Sequence, residues 1–341
     1  MELKKGLLFT DIHWGRKQNS DEHNNHCMQF IDFVCTNAPN HSIDHIIFLG
    51  DWYEHRNAVN ISTLNWAYRG AKKLNELGVP IYFIVGNHDM YTKINREMYS
   101  TIEYNEFKNF IVVDKILHAP EIGNGSLVCP YLLHDEYSQI NKYNVENAYG
   151  HFEFNGFVLT GETRKFEGGH DHSEFKKLKR IFSGHFHKRQ VTDQVTYIGN
   201  TFPMDFSDAN DVNRGFAIHD HVNDTVSFVD WEQGPRYIYT SLSEIINNTV
   251  EIPMGANIEC VSDVSIEYSK MLELSKSISE LYSLSSLKIT EPKTDIDMDI
   301  NPVTELDMKT LNIHDYIIDM LLSIDSPNID TSLLVKVYRQ I

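Results

Sequence analysis

Cysteine is scarce in this sequence, and no two cysteines stand at a spacing that binds zinc or closes a short disulfide loop. The four cysteines of the 341-residue chain, Cys27, Cys35, Cys129 and Cys260, lie far apart. This usage excludes a disulfide framework and a zinc ribbon. It is typical of reduced thiols in a cytosol.

Long apolar runs are also missing. No stretch approaches the roughly 18 apolar residues that a membrane span requires, and the apolar run after MELKK is too short for a signal peptide. We therefore expect a soluble, cytoplasmic protein without a membrane partner. A content of 41% hydrophobic and 11% aromatic residues is typical of a globular protein. The length favours two or three structural units.

Positive charge is in deficit. The chain has 30 Lys and Arg against 48 Asp and Glu, a net charge of −18, of which residues 240–341 carry −10 and residues 1–239 carry −8. Proteins that bind nucleic acid unaided usually present a basic surface, so this balance argues against tight unaided DNA binding. Two bound divalent ions would cancel about half of the charge of residues 1–239.

The first half of the chain alternates apolar strands with amphipathic helices, a pattern of α/β folds. The predicted strands are 6–10, 45–49, 80–85, 152–160 and 180–182. The predicted helices are about 22–36 and a second one from Ser62 or Thr63 to the stop at Gly78. A hairpin turning at Asn223–Asp224 follows. The pattern predicts a four-layer α/β/β/α sandwich.

Past Pro235 the character of the sequence changes. A strand at 257–264, a helix at 267–282 and a strand at 286–290 predict a small α/β unit. Acidic, proline-containing residues without periodicity follow, and then two short amphipathic helices at about 313–323 and 330–340. The predicted domains are a first domain 1–235, a small α/β domain 236–290, an acidic linker 291–309 and a helical partner-docking element 310–341.

Five polar motifs stand at the ends of the predicted apolar strands. They are Asp11-x-His13, Gly50-Asp51, Gly86-Asn87-His88-Asp89, Gly150-His151 and Gly184-His185-Phe186-His187. Functional groups of α/β folds collect at the carboxyl ends of strands. Mixed oxygen and nitrogen donors suit Mn²⁺, Fe²⁺ or Zn²⁺, and two such ions can hold both oxygens of an in-line phosphoryl displacement. One motif alone is weak, but the ordered set predicts a two-metal phosphoesterase.

The strings TDIHWG, FLGDWYEHR, YFIVGNHDMY, GHFEFNGF, FSGHFH and YIGN together resemble the calcineurin-like metallophosphoesterase superfamily. Within it the chain is most similar to the SbcD-type nuclease subunits of double-strand-break repair complexes, particularly the recombination endonuclease subunits of large phages. The resemblance covers residues 1–235 at motif level and extends more loosely to the terminal helices.

The resemblance implies a set of site residues. One ion would be held by Asp11, His13, Asp51 and His187, and the other by Asp51, Asn87, His151 and His185. The expected metal is Mn²⁺. His88 would be a catalytic histidine that does not bind metal, and Asp89 would orient it through a hydrogen bond. Some family members have a histidine three residues after the bridging aspartate, where this chain has Glu54, which we leave out of the catalytic set.

The resemblance also implies domain roles, an activity and partners. Residues 1–235 would be the metallophosphoesterase (nuclease) domain and residues 236–290 a capping or DNA-binding domain. We expect a DNA endonuclease and exonuclease in recombination, repair or replication, located in the host cytoplasm if the chain is phage-encoded. It would be a homodimer and would dock an SMC-like coiled-coil ATPase of the SbcC type through residues 310–341. That partner would supply most of the grip on duplex DNA. The alternatives are a stand-alone phosphatase of the same superfamily and a catalytically silent subunit that only docks DNA ends.

Basic and aromatic residues beside the motifs have two interpretations each. The basic residues are Arg16, Lys17, Arg56, Lys93, Arg96, Arg164, Lys165, Lys188 and Arg189. They form either a rim that follows a phosphate backbone or a generic mixed-charge surface. Trp52 and Tyr53 either stack on a nucleobase or pack beside the metal pocket.

Overall fold

Two large β-sheets form the centre of the fold. A computed structural model describes residues 2–159, 165–264 and 266–290; the predicted linker 291–309 and docking element 310–341 lie outside them. The strands of the described residues are β1 (Lys5–Phe9), β2 (His45–Phe48), β3 (Ile81–Ile84), β4 (Phe110–Val113), β5 (Leu117–Ala119), β6 (Ser126–Cys129), β7 (Asn147–Gly150), β8 (Arg180–Ser183), β9 (Gln190–Val191), β10 (Val195–Tyr197), β11 (Gly215–Asp220), β12 (Thr225–Asp230), β13 (Tyr237–Ser241), β14 (Asn257–Val261) and β15 (Ser286–Thr290).

The first sheet has the order β12-β11-β1-β2-β3-β4, and the second has the order β5-β6-β7-β8-β10-β9. In the first sheet β1 to β4 are parallel, and β11 is antiparallel to both of its neighbours, β1 and β12. In the second sheet β6, β7, β8 and β10 are parallel, with antiparallel strands at both edges. Every residue of β2 and β3 is buried, as expected for apolar strands covered on both faces.

Helices cover the outer face of the first sheet. The α-helices of the described residues are α1 (Arg16–Asn19), α2 (Asp21–Asn37), α3 (Ile61–Asn75), α4 (Tyr137–Ile140), α5 (Leu242–Ile246) and α6 (Tyr268–Leu281), and 3₁₀ turns occupy Ala38–His41, Ile102–Glu106, His134–Glu136, His172–Glu174 and Phe206–Asp208. The side chain of Ser20 caps α2 and that of Asn60 caps α3. The cap of α3 was predicted at Ser62 or Thr63, two or three residues too late.

Three apolar clusters fill the layers. One lies between the first sheet and α2 and α3, and includes Phe30, Phe48 and Phe83. A second lies between the sheets. The third covers the outer face of the second sheet with loop residues and the single turn of α4. The predicted α/β/β/α sandwich is confirmed, although short segments form most of its second outer layer.

One predicted strand is wrong. Residues 152–160 were expected to form a strand, but the strand is β7, which ends at Gly150, and Phe154 and Val158 make only isolated bridges. A turn at Asn155-Gly156, with Gly156 at φ 89°, interrupts the segment that was predicted to be extended. Thr160 lies outside the described residues. The hairpin of β11 and β12 has its turn where the sequence predicted it.

A small parallel sheet with the order β13-β14-β15 follows the two large ones. The helix α6 and the short α5 cover it, around a core that includes Leu242, Ile258 and Ile278. The described residues belong to one compact unit. Within it the ring of Phe206 contacts the rings of Tyr237 and Tyr239. The role of residues 236–290 as a capping domain remains a prediction.

No helix among the described residues is long and apolar enough to cross a membrane.

Candidate metal centre

The five motifs meet at one edge of the sandwich. Asp11, Asp51 and Asn87 follow the carboxyl ends of β1, β2 and β3 in the first sheet, and His151 and His185 follow β7 and β8 in the second. Because these strands are parallel within their sheets and the sheets stack, the loops that follow them converge. Side chains from both sheets therefore share one pocket.

The backbone at this pocket is strained. Asp11, His13, Asp51 and His185 have φ angles of 51°, 50°, 60° and 85°, in the left-handed region that non-glycine residues rarely adopt. Such conformations cost about 1 to 3 kcal/mol each and cluster at functional sites. Four strained donor residues in one pocket indicate a functional site.

Glycines make the close packing of these loops possible. A Cβ atom on Gly50, which has φ 107°, would stand 2.5 Å from Nδ1 of His151. A Cβ atom on Gly184 would stand 2.1 Å from Oγ1 of Thr10. The space beside these glycines is taken by His151 and by the Thr10–Asp11 segment, so a side chain at either position would clash.

One group of donors surrounds His13. Its Nε2 lies 3.1 Å from Nε2 of His187, 3.8 Å from Oδ1 of Asp11 and 3.8 Å from Oδ2 of Asp51. Nε2 of His187 lies 3.7 Å from the same oxygen of Asp11. The other Asp11 oxygen accepts a hydrogen bond from Oγ1 of Thr10 at 2.7 Å. Two nitrogens and two carboxylates therefore face one point.

A second group surrounds Asn87. Its Oδ1 lies 2.8 Å from Nε2 of His151 and 3.0 Å from Nδ1 of His185. Nε2 of His151 lies 3.3 Å from Oδ2 of Asp51, the same oxygen that faces His13. Nδ1 of His151 lies 2.7 Å from the carbonyl oxygen of Leu49, which orients the ring. Asp51 stands between the two groups.

The donor set fits two divalent metal ions. Asp11, His13 and His187 form one group whose ligand atoms lie within 4.8 Å of one another, and Asp11, Asp51 and His151 form another. Imidazole nitrogens with carboxylate and amide oxygens are the ligands of first-row transition metals. The structure brings together all seven residues that the sequence predicted as ligands: Asp11, His13, Asp51, Asn87, His151, His185 and His187.

The buried carboxylates attract positive charge. Burial opposes protonation of His13, but contacts with Asp11 and Glu54 outweigh it and raise the pKa of His13 to about 10. Burial is likewise outweighed at His151, where the Asp51 carboxylate raises the pKa to about 9. Burial would raise the pKa of Asp51, yet the charges of His151 and His88 hold it well below its usual range. Protons or metal cations can supply the charge that this pocket requires.

His88 lies beside the two donor groups. Its backbone N–H donates to Oδ1 of Asp51 at 2.7 Å, and its Nδ1 lies 2.8 Å from the carbonyl oxygen of Glu54. Its ring centroid is 5.0 Å from that of His13. Burial lowers the pKa of His88, because the charged imidazole is poorly solvated there. His88 is thus placed to exchange a proton with a group bound at the pocket.

The predicted role of Asp89 is wrong. Its carboxylate does not contact His88 but accepts backbone hydrogen bonds from Gly86, Asp51, Trp52 and Tyr53, each with a shortest distance of 3.0 Å. Asp89 is fully buried, so these bonds replace the water it has lost. Asp89 therefore fixes the loop that carries Asp51, and His88 is oriented by a backbone carbonyl instead.

Sequence reasoning missed two carboxylates behind the histidines. Oε2 of Glu54 lies 2.9 Å from Nδ1 of His13, and Oε1 of Glu153 lies 3.4 Å from Nε2 of His185. The signal for Glu153 was present, because it stands two residues after His151 in GHFEFNGF. The position of Glu54 was noticed only as a departure from the family.

The structure decides between the two interpretations for most of the basic and aromatic residues beside the motifs. Trp52 and Tyr53 are buried, and both contact the hydroxyl of Tyr104, so they pack beside the pocket. Three of the basic residues are in ion pairs, namely Arg16 with Glu54 and Asp205, Arg96 with Glu136, and Arg189 with Asp230. Arg56 donates to the carbonyl of Asn87, and Lys17 contacts the hydroxyl of Tyr237.

Lys93, Lys165 and Lys188 have neither an ion pair nor a side-chain hydrogen bond with the described residues. All three side chains are exposed. Arg164 lies outside the described residues. The predicted continuous basic rim is therefore wrong, because several of its arginines are paired with carboxylates. Any contact with a phosphate backbone depends on fewer cations than the sequence suggested.

The family of the chain follows from a comparison with known proteins. Residues 5–189 match the calcineurin-like phosphoesterase family, and the chain belongs to it. It is also similar to exonuclease subunit 1 of Enterobacteria phage T4, with 27% identity over 185 residues, which is 53% of this chain and 54% of that protein. The chain thus spans about half the length of this curated relative. The match to the family covers all five motifs.

Proposed function

We propose that the protein is a metal-dependent nuclease that hydrolyses phosphodiester bonds of DNA by a two-metal mechanism. The observation that carries the proposal is the position of Asp51, whose Oδ2 lies 3.8 Å from Nε2 of His13 and 3.3 Å from Nε2 of His151. One carboxylate between two donor groups is the arrangement that a pair of ions needs in order to act on one phosphate.

The roles of the residues follow from this arrangement. Asp11, His13, Asp51 and His187 would hold one ion, and Asp51, Asn87, His151 and His185 the other. When bound, two Mn²⁺ ions would supply positive charge to the phosphoryl oxygens and a water molecule of lowered pKa. His88 would donate a proton to the leaving oxygen or a hydrogen bond to the charge that develops on the phosphate.

DNA as the substrate is supported by the similarity to a protein named as an exonuclease subunit. The net charge of −18 remains unfavourable for unaided binding. Because several arginines near the pocket are paired with carboxylates, we infer that a partner provides most of the contact with duplex DNA. We propose an SMC-like coiled-coil ATPase in that role, docked through residues 310–341. The relative is itself named as a subunit.

The partner proposal can be tested with a shortened chain. A chain that ends at Thr290 retains every residue of the metal centre. We expect it to hydrolyse a small diester like the full chain but to gain no ATP-dependent stimulation on duplex DNA from a coiled-coil ATPase. Equal stimulation of both chains would contradict docking through residues 310–341.

A homodimer is supported by an exposed apolar face on α3. Ile61, Leu64 and Tyr68 stand at helical spacing, with 77%, 40% and 47% of their surface exposed. Exposed apolar patches of this kind mark association surfaces. We expect sedimentation velocity to show a dimer that the double variant Ile61→Glu, Tyr68→Glu converts to a monomer. Val222→Glu, on an exposed hairpin turn, is the control that leaves the dimer intact.

A stand-alone phosphatase is the alternative, because the family match by itself shows a phosphoesterase. A panel of substrates separates the two. The Mn²⁺-loaded protein is expected to hydrolyse bis-p-nitrophenyl phosphate and end-labelled DNA more efficiently than p-nitrophenyl phosphate. His88→Ala, purified identically, controls for a contaminating nuclease. Activity on the monoester alone would overturn the nuclease, and a protein that binds no Mn²⁺ would favour the silent subunit.

A further inference from the structure

Glu54 lies between the imidazole rings of His13 and His88. Its side chain is 20% exposed, and its Oε2 lies 2.9 Å from Nδ1 of His13. The other ring nitrogen of His13 faces His187, Asp11 and Asp51. The two nitrogens of His13 therefore have different environments, a carboxylate on one side and the proposed metal position on the other.

This difference has a chemical consequence. A neutral imidazole carries one proton, and only the nitrogen without it can bind a metal ion. A carboxylate has no proton to donate, so it favours the tautomer with the proton on Nδ1 and the lone pair on Nε2. We propose that Glu54 is a positioning residue that fixes the tautomer and ring orientation of His13 for metal binding. The inference rests on the ligand role of His13 in the proposed function.

Arg16 holds the Glu54 carboxylate in place. Its Nη1 lies 3.4 Å from Oε2 of Glu54, and its Nη2 lies 2.8 Å from Oδ2 of Asp205. The Arg16 side chain is 22% exposed, so this bridge is largely shielded from solvent. Arg16 is thus part of the support of His13 and is not free to follow a phosphate backbone.

The main chain of Glu54 supports the other imidazole. Its carbonyl oxygen lies 2.8 Å from Nδ1 of His88. Since this contact does not involve the Glu54 side chain, a side-chain substitution should weaken the support of His13 and leave that of His88 in place. This separation makes the role of the carboxylate measurable.

Glu153 provides a matched control at the second donor group. Its Oε1 lies 3.4 Å from Nε2 of His185, whose Nδ1 faces Asn87 at 3.0 Å. Each donor group therefore has one histidine with a carboxylate behind it. Glu54→Gln and Glu153→Gln make the same chemical change, removal of one charge at nearly constant shape, behind different ligands.

The test measures metal binding instead of turnover. Mn²⁺ is titrated into metal-free protein and the free ion is followed by electron paramagnetic resonance, with Asn87→Ala as the background that removes a ligand from the second group only and keeps His185 in front of Glu153. In this background we expect Glu54→Gln to weaken the remaining ion about 10- to 100-fold, whereas Glu153→Gln changes it less than about threefold. The thermal midpoint of the metal-free protein should stay within about 2 °C, so a loss of fold is excluded.

Unchanged Mn²⁺ affinity in Glu54→Gln would overturn the proposal, and so would an equal loss in Glu153→Gln. Arg16→Gln provides a second test, since release of the Glu54 carboxylate should weaken binding of the same Mn²⁺ ion by a smaller factor. The outcome is separable from that of the proposed function. A wild type that binds two Mn²⁺ ions but cleaves no DNA would refute the nuclease while the affinity difference at Glu54 stands. A wild type that binds no Mn²⁺ would overturn both.

Discussion

Oδ2 of Asp51 and Nε2 of His151 lie 3.3 Å apart although they follow strands of different sheets. Asp51 follows β2 of the first sheet, and His151 follows β7 of the second. Their distance is set by the apolar layer between the sheets, in which Ile47, Leu49 and Tyr149 are buried. The candidate metal centre is therefore a product of sheet packing, and residues between the sheets support it without touching it.

Asp51→Asn should separate the two donor groups. The amide keeps the shape of the carboxylate but removes its charge and its ability to serve two ions. We expect fewer than two Mn²⁺ ions per chain and a loss of diester hydrolysis of about a thousandfold, because several kcal/mol of charge stabilisation disappear. Metal analysis after gel filtration and initial rates measure these effects. Two tightly bound ions in this variant would contradict the bridging role.

His88→Ala should keep its metal and lose its activity. Nδ1 of His88 lies 2.8 Å from a backbone carbonyl oxygen and the ring lies beside that of His13. His88 is not one of the proposed ligands, so both donor groups remain complete. Loss of a general acid lowers rates by about 10² to 10⁴. Mn²⁺ titration beside turnover of bis-p-nitrophenyl phosphate gives both quantities. Cleavage at the wild-type rate would remove His88 from the mechanism.

The buried His219 should make the fold less stable in mild acid. Burial, together with the charge of His221, lowers the pKa of His219 from 6.5 to about 3. Between these values the unfolded chain binds the proton more strongly, so the free energy of unfolding falls as the pH drops below about 6.5. At pH 5 this one group lowers the free energy of unfolding by about 2 kcal/mol.

Urea denaturation at pH 7 and pH 5 checks this expectation. His219→Asn retains a polar group opposite the Tyr149 hydroxyl, which lies 2.7 Å from Nδ1 of His219. The difference in unfolding free energy between the two pH values should shrink in this variant. His55→Asn, at an exposed position, is the control that should leave the difference as in the wild type. An undiminished difference in His219→Asn would count against the assignment.

A buried ion pair and an exposed one should differ sharply in their contribution to stability. The Arg214 side chain is 1% exposed and contacts Asp208 at 3.4 Å and Asp211 at 2.9 Å. Arg214→Met leaves these carboxylates without their cation, which costs about 3 to 5 kcal/mol. Lys179→Met removes a pair with Glu146 in which both side chains are more than 60% exposed.

Loss of the exposed pair in Lys179→Met should lower the free energy of unfolding by no more than about 1 kcal/mol. Chemical denaturation of the two variants under one set of conditions compares them directly. Arg214 also donates to Asn200, whose backbone N–H donates to the carbonyl of His187 at 3.0 Å. Arg214→Met should therefore weaken Mn²⁺ binding as well, unlike Lys179→Met. Similar stability of both variants would contradict the structural importance of the buried network.

Much of the fold was predictable from local pattern. Apolar runs such as those of β2 and β3 are strands because both of their faces are buried, and α2 and α3 show helical spacing of apolar residues. The failure at residues 152–160 has a local cause as well. Three phenylalanines in that segment suggested a strand, whereas they fill the outer layer from an irregular loop.

The sequence by itself determined which donors the pocket contains, because oxygen and nitrogen ligands are set by residue type and each motif ends a strand. Only the tertiary structure decided what stands behind the donors. Glu54 faces His13, Glu153 faces His185, and Asp89 supports the Asp51 loop instead of His88. Each of these contacts joins the loops after two neighbouring strands of one sheet, at positions far apart in the sequence, so it depends on which strands pair and on how the loops fold. No local spacing along the chain encodes that pairing.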